Sequence, residues 1–370
     1  MNIGIDAHSW GQNLTGNEIY TVNLLRNLAK IDKSNNYRVY VSNKRILSDN
    51  LFKEPNFQAK FIGYTRWKRI FLSMPIELNI NNVDVVHMQY FPPLFYSGKF
   101  IVTIHDVSFK IFPQWYSLKE RLMFKFVKLA IENAKYIVAV SGFTKKEILT
   151  RYNMPSHKVV VIYNGVSDSF KLTEDSGLTL RVKKKYFLPD DFLLYVGTFV
   201  DLKNIPGLIR AFAIFKRTKI RKEKLVLIGD KKCNYNKISK LIEKLNLKDE
   251  VKFIGYVSES ELPAIYNCAK LFVSISFYES FGLSSLEAMA SGLPVITSNT
   301  SAFPEVVNEA GVMVNPYDEE AVAKAMSQIL DDKDLYQSMR LKGLNQAKKF
   351  SWLETARQTL KIYERAYKEE

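Results

Sequence analysis

The chain switches repeatedly between two periodicities. Short runs, most of them apolar on consecutive residues, recur at Asn2–Asp6, Tyr37–Val41, Ala59–Gly63, Asp84–His87, Phe100–Ile104, Tyr136–Val140 and Val159–Ile162. Strands buried on both faces read this way, because helices cover a parallel sheet above and below. Between the runs the apolar positions repeat every three to four residues, as at Ile19, Val22, Leu25 and Leu28. That is the spacing of a helix with one buried face. The alternation predicts βαβ units around a parallel sheet.

The alternation lapses between Asn164 and Asp190. This stretch holds Gly165, Ser167, Asp168, Ser169, Asp175, Ser176, Gly177 and Pro189, with a basic run from Arg181 to Lys185. It reads as the interdomain connection. A second strand series follows at Phe192–Val196, Lys224–Gly229, Val251–Gly255, Leu271–Ser274, Pro294–Thr297 and Gly311–Val314. The expected organisation is two doubly wound, Rossmann-like α/β domains, residues 1–170 and 171–350. A C-terminal helix over 351–370 carries Ser351 and Glu354 in capping-box spacing and an apolar stripe of Ala356, Leu360, Tyr363 and Tyr367.

Composition narrows the class without choosing a function. Of the 370 residues 47% are hydrophobic and 25% charged, which suits an ordinary globular protein and argues against disorder. Met1 leads straight into the first strand, not into a charged and then apolar leader. No apolar run approaches the ~20 residues needed to span a bilayer. Two cysteines, Cys233 and Cys268, offer neither a disulfide framework nor a metal spacing. A cytoplasmic protein is expected. The net charge is +15, from 53 Lys and Arg against 38 Asp and Glu. Residues 1–170 carry 22 of the basic and 12 of the acidic residues, so most of the surplus lies there. Such a surplus favours nucleic acid, an anionic membrane surface or a phosphorylated ligand.

The densest chemistry lies in Tyr278–Pro294. It begins where the strand Leu271–Ser274 ends, and a helix is expected from Leu283 until Gly292 and Pro294 stop it. Ligands of open α/β sheets sit at the carboxyl ends of strands. Gly282 lets the backbone come close to a ligand, and the amides of Phe281, Gly282 and Leu283, at the positive end of the helix dipole, suit an anion. Glu279 lies beside that seat and Glu287 a turn further in. A carboxylate accepts two hydroxyl hydrogen bonds at once, as a ribose or hexose diol requires. The competing reading of Glu287 is a solvated helix residue. Its small and apolar neighbours oppose it, since a carboxylate among them needs partners. His105 ends the run Ile101–Ile104 and precedes Asp106. It is either a capped structural histidine or a ligand at a strand's carboxyl end. His8 could line the same edge, and His87 reads as structural.

Glu279 and Glu287, around Phe281-Gly282-Leu283 and before Ala288-Met289-Ala290-Ser291-Gly292-Leu293-Pro294, resemble the signature of the GT-B fold glycosyltransferases of family 4. The likeness extends over nearly the whole chain. It includes Asn2–Asp6 with Thr15-Gly16, Val102–Asp106, Val138–Ser141, Ile162–Val166, and Tyr195–Thr198 with Lys203-Asn204. The wording is nearest to bacterial mannosyltransferase-like members that build surface polysaccharide such as O-antigen.

The resemblance implies a GT-B architecture, with the two domains facing an interdomain cleft and the C-terminal helix returning to the first domain. It implies a nucleotide-sugar donor on the second domain and a glycan or polyprenyl-linked glycan acceptor on the first. Glu287 would hold the ribose and Glu279 the donor sugar. The amides of Phe281, Gly282 and Leu283 would hold sugar and diphosphate, Lys203 would neutralise the diphosphate, Gly16 would approach the phosphates, and His105 would lie beside the reacting sugar. Transfer would retain the anomeric configuration, without metal or other cofactor. GDP-mannose is the favoured donor and a UDP-sugar the alternative. The chain departs from the family at Thr198 and Leu202, where many members carry arginine, and at Asn17-Glu18.

Two basic, aromatic segments bear on the surplus charge. In Thr65–Leu72 and on to Met74, a helix would put Trp67, Ile70, Phe71 and Met74 on one face. In Tyr116–Lys135, Leu122, Phe126 and Leu129 would share one side, with Arg121, Lys125 and Lys128 on another. Such elements suit an anionic bilayer surface, which makes the expected location peripheral at the inner face of the cell membrane. The rival uses are a basic nucleic-acid-binding protein and a nicotinamide enzyme. No RNP-type run, zinc spacing or helix-turn-helix supports the first, and no G-x-G-x-x-G follows a strand to support the second. No nucleic-acid partner is expected.

Overall fold

A computed structural model describes every residue except 12–14, 64, 82, 174–175, 231–233 and 370. Cys233 thus lies outside the described residues. The chain divides into two compact units. Unit 1 is Met1–Gly165 with Ser351–Glu370, and unit 2 is Val166–Phe350. The division falls at Gly165, not at 170.

Unit 1 holds seven parallel strands: β1 (Asn2–Asp6), β2 (Asn36–Val41), β3 (Phe57–Phe61), β4 (Val85–Gln89), β5 (Phe100–Ile104), β6 (Tyr136–Ala139) and β7 (Val159–Val161). Their order is β3-β2-β1-β4-β5-β6-β7. Unit 2 holds six: β8 (Phe192–Val196), β9 (Lys224–Ile228), β10 (Val251–Gly255), β11 (Leu271–Ser274), β12 (Val295–Ser298) and β13 (Val312–Val314), in the order β10-β9-β8-β11-β12-β13. The central strands β4, β5, β11 and β12 are buried at every position, as strands covered on both faces must be. In each sheet the chain starts near the middle, winds to one edge, then returns and winds to the other. The direction reverses between β1 and β4 in unit 1, and between β8 and β11 in unit 2. Loops leaving two such strands part to opposite faces, which opens a crevice beyond their carboxyl ends. The topology therefore marks one edge position in each unit before any side chain is considered.

Two regions depart from the sequence reading. The stretch read as connection contains a helix, Ser176–Tyr186, that carries the basic run. It is held by Val182 in the core and by Lys185 and Tyr186, which both bond Glu261 at 2.7 Å. The serine and glycine at its start, Ser176 and Gly177, hid its inward side. The C-terminal helix, Trp352–Lys368, packs on unit 1, but on a face rotated from the expected stripe. Trp352, Thr355, Ala356, Thr359, Ile362, Tyr363 and Ala366 are buried, whereas Tyr367 is exposed. Its cap is single, Ser351 Oγ accepting from Leu353 N, while Glu354 bonds Gln358 and not the cap. Gly165 makes this return possible: a Cβ there would lie 2.0 Å from the backbone nitrogen of Trp352.

Candidate functional site

The reversal in unit 2 gathers the predicted donor-binding residues other than Gly16, which lies in unit 1. The loop leaving β8 carries Thr198 and then a 3-10 turn, Asp201–Lys203. Asn204 follows in the left-handed region, where asparagine is tolerated, and caps the next helix by accepting from Gly207 N. Its amide donates to the Pro316 carbonyl at 2.7 Å, which fixes the turn to the body of the unit. The loop leaving β11 carries Glu279. The two loops are tied by Phe277 N donating to the Leu202 carbonyl (2.8 Å) and by Lys203 Nζ donating to Glu279 Oε2 (2.5 Å). Thr198 contributes its carbonyl to the buried Tyr195 hydroxyl, so its backbone is held against the sheet.

The helix Leu283–Ala290 starts at this point. Gly282 is its N-cap at φ +92°, a region that suits glycine, and a Cβ would meet the Phe303 ring at 3.2 Å. Ser285 N and Leu286 N are spent on the Gly282 carbonyl. The positive end of the helix therefore lies at the strand edge beside the Lys203–Glu279 pair. The Phe281 ring is buried and packs edge-on to Phe350, so only its backbone can serve a ligand. Lys203 and Glu279 neutralise each other here; a diphosphate would take over the ammonium and leave the carboxylate to sugar hydroxyls.

Glu287 lies one turn inside that helix, 6% exposed. Tyr266, from the helix Leu262–Cys268, places its hydroxyl 3.0 Å from Glu287 Oε2 and 3.2 Å from the Ser284 carbonyl. Burial pushes the Glu287 carboxyl up to about 8; the tyrosine's donation opposes the shift and the charge of Glu259 adds to it. A carboxyl in this state is short of hydrogen-bond donors for its charge.

The reversal in unit 1 gathers a second cluster. Asp6 ends β1, Gln89 ends β4 and His105 follows β5. Arg69 donates to Asp6 Oδ2 at 2.7 Å, both groups being buried, and His8 Nδ1 lies 3.1 Å from each Asp6 oxygen. Burial alone would raise the Asp6 carboxyl, but Arg69 and then His8 hold it far below the usual carboxylate range. His105 Nε2 is 3.1 Å from Gln89 Oε1, and its ring packs edge-on to Tyr20 at 4.8 Å. Burial, with His87 and His8 nearby, pushes the His105 imidazole down to about 3. His87 bonds Tyr363 and Thr103 and is structural. Gly16 sits exposed at the start of the first helix, with open space where a Cβ would stand. The neighbouring Glu18 closes the turn after β1 by accepting from Gly11 N at 2.6 Å.

Several participants had escaped the sequence reading. Arg69 read as part of a basic, aromatic segment suited to an anionic bilayer surface, yet it is the buried partner of Asp6; no local pattern distinguishes it from Arg66 or Lys68. Tyr266 precedes Glu287 by 21 residues and is brought to it only by packing. Asp6, the polar end of an apolar strand, was the one visible signal. Among the described residues no group of three or more His, Cys, Asp or Glu could hold a metal ion. A surface depression of about 860 Å³ lies mainly at the opposite edge of the unit 2 sheet, around Asp191, Lys224 and Lys248 at the amino ends of β8, β9 and β10, and takes no part in this chemistry.

The basic, aromatic segments differ in detail from the expected helices. Residues 66–80 form a short α-turn, a π-turn at Arg69–Ser73 and the helix Met74–Ile80. Ile70 and Met74 point into the core beside Arg69, while Trp67, Phe71, Leu72 and Ile76 stay exposed. The second segment breaks into Leu118–Met123 and Lys125–Asn133. Met123, Val127, Ala130 and Ile131 are its buried face, while Leu122 and Leu129, two of the three apolar residues read as one side, are exposed. Phe71 meets Phe126 edge-on at 5.6 Å and stacks on Trp67 at 5.4 Å, which joins both segments into one apolar surface. No helix among the described residues is long and apolar enough to cross a membrane.

Comparison with known proteins agrees with this reading. Family models described as "Glycosyltransferase Family 4" and "Glycosyl transferases group 1" match residues 15–170 and 179–346. The chain is 33% identical to the Escherichia coli O-antigen chain mannosyltransferase B over 71% of its own length and 69% of the relative's. It is 33% identical to the Escherichia coli serotype-specific mannosyltransferase WbdA, over 62% of this chain but only 29% of that protein. Sucrose-phosphate synthase from Thermosynechococcus elongatus shares the fold over 99% of both chains (TM-score 0.81, 21% identity). Anabaena Alr3699/HepE, solved with UDP-glucose, covers 99% of this chain and 100% of its own (TM-score 0.76, 16% identity). Two doubly wound units with this edge chemistry and these matches define a glycosyltransferase of GT-B architecture. The chain belongs to glycosyltransferase family 4.

Proposed function

We propose that the protein moves mannose from GDP-mannose to a glycan or polyprenyl-linked glycan during O-antigen-type polysaccharide synthesis, with retention of configuration. The observation that carries this reading is the convergence of Lys203, Glu279 and the amino end of the Leu283–Ala290 helix on the β8/β11 reversal, with Glu287 one turn behind. Departure of the nucleoside diphosphate builds negative charge on its phosphate oxygens. Lys203 and the helix-terminal amides meet that charge without reorganising, which is where most of the rate enhancement arises. Glu279 holds sugar hydroxyls and Glu287 the ribose diol. Charge neutralisation by lysine and backbone dipoles makes a metal unnecessary. No side chain is assigned as a covalent nucleophile; the leaving phosphate takes the proton of the acceptor hydroxyl on the same face, which gives retention.

The choice of mannose rests on the relatives named as mannosyltransferases. The UDP-glucose bound by the Anabaena protein keeps a UDP-sugar as the second reading. Location follows from the exposed Trp67, Phe71, Leu72 and Leu122 among Arg66, Lys68, Arg121 and Lys125: this face rests on an anionic bilayer at the inner side of the membrane, where a lipid-linked acceptor is carried. A thermal-shift screen of GDP, UDP and their sugars tests the donor. A ligand at a hundred times its dissociation constant adds about 2.7 kcal/mol of stability. Stabilisation by UDP-sugars alone would move the assignment to the second reading. Tight DNA or RNA binding at physiological salt, with no response to any nucleotide, would overturn the glycosyl-transfer assignment itself.

A further inference from the structure

The hydrogen-bond chain at the β1/β4/β5 edge determines which nitrogen of His105 carries the proton. Gln89 lies within 2.9 Å of the Asp6 backbone carbonyl and 2.7 Å of Thr21 Oγ1 through one side-chain atom, and 3.1 Å from His105 Nε2 through the other. A backbone carbonyl can only accept, so the atom facing Asp6 is the amide nitrogen and the atom facing His105 is the carbonyl oxygen. This removes the ambiguity that usually attends an amide orientation. The oxygen can only accept in turn, so His105 Nε2 carries hydrogen. Gln89 is itself buried, and Thr21 is held by Asn17 and Ser9, so the amide has no room to reverse. The ring is buried between Tyr20 and Tyr90 and stays neutral, with Nδ1 as its remaining acceptor.

We propose that Gln89 is a positioning residue that locks His105 as the Nε2–H tautomer, so that Nδ1 accepts a hydrogen bond from a hydroxyl of the transferred sugar or its acceptor. In this state His105 is neither a general acid nor an electrostatic partner for phosphate. Its task is to select a hydroxyl that can donate. A sugar lacking that hydroxyl, or carrying an acceptor such as fluorine there, loses the contact. The inference rests on the glycosyl-transfer reading for its substrate, but the tautomer is a property of the free protein.

Nitrogen-15 NMR of the full chain with labelled histidine decides the first half. The expected His105 signals are those of a neutral Nε2–H ring between pH 5.5 and 9; an Nδ1–H ring or an imidazolium in that range overturns the proposal. Kinetics of Gln89→Met and Gln89→Glu decide the second half. Methionine keeps the length but cannot hold the Nε2 hydrogen, so kcat/KM should fall at least about tenfold, the worth of one hydrogen bond. GDP affinity, whose residues lie in unit 2, should be unchanged. Glutamate still accepts from Nε2. It should recover part of the activity, and it should add an ionisation to the pH–rate profile as its charge favours the imidazolium. Equal kcat/KM in wild type and Gln89→Met overturns the positioning role. If Gln89→Met does not fold, the wild-type NMR and the kinetics of deoxy-sugar donors and acceptors still decide. Absence of any nucleotide binding would instead sink the glycosyl-transfer reading and leave the tautomer assignment standing.

Discussion

Glu287 should make nucleotide affinity depend on pH in a way that its neighbours do not. Its carboxyl is held at about 8 by burial, against an ordinary 4.5. A ribose diol offers two hydroxyl donors, which an ionised carboxylate accepts and a protonated one cannot accept fully. The binding-competent form is therefore the minor one at neutral pH: with a value near 8, about one molecule in ten is ionised at pH 7. The apparent dissociation constant is the intrinsic one divided by that fraction, so GDP should bind about tenfold more weakly at pH 7 than above pH 9. Binding at pH 7 should release close to one proton. The fold responds in the opposite sense. A group whose folded value is raised stabilises the protein fully below about 4.5, and that contribution is lost as pH climbs through about 8. Between pH 6 and 8 the wild type should lose about 2 kcal/mol that Glu287→Gln does not lose. Isothermal titration calorimetry with GDP, in buffers of different ionisation enthalpy between pH 7 and 9, measures both affinity and protons. Tyr266→Phe should deepen the effect, since the hydroxyl now opposing the shift is gone. Affinity that stays level across this range, or that rises equally in Glu287→Gln, would refute the argument.

Other consequences are more local. Lys203→Ala should lower kcat by about 10²- to 10³-fold, with a smaller loss of GDP affinity, because the ammonium acts most on charge that develops late; steady-state kinetics against each substrate separate the two. Arg69→Met leaves the Asp6 carboxylate buried without its cation and should cost about 3–5 kcal/mol in urea unfolding, whereas the double change Arg69→Met with Asp6→Asn should recover most of that loss. Trp67→Ser with Leu72→Ser should release the protein from vesicles containing anionic lipid in flotation assays while leaving transfer to a water-soluble acceptor near the parental rate; unchanged flotation would remove the proposed membrane face.

How much of this was legible in the chain follows from where each signal resides. Central strands announced themselves because burial on both faces forces consecutive apolar residues, and β1, β5, β8 and β11 fall where the pattern put them; the edge strand β10 does too, although only Val251 in it is buried. The Ser176–Tyr186 helix did not, because among its described residues only Val182 is buried, while Leu178 and Leu180 are exposed. The Tyr278–Pro294 segment was readable because its parts are adjacent in sequence: a strand end, a glycine at positive φ and a helix start within a dozen residues. The unit 1 cluster has the opposite character. Asp6, Arg69, Gln89 and His105 come from separate elements, and only the order β1-β4-β5 brings them together. Arg69 shows the cost of reading charge locally, for its neighbours Arg66 and Lys68 are exposed while it is buried on Asp6. The π-turn at Arg69–Ser73 is the device that separates them: it carries Arg69 and Ile70 inward and leaves Trp67 and Phe71 on the outside. A regular helix would have placed Ile70 and Met74 beside Trp67 and Phe71, so the same irregularity both builds the buried ion pair and exposes the aromatic face. The proposed strand-edge site and the proposed membrane face thus share one backbone distortion, and substitutions that regularise this turn should weaken both together.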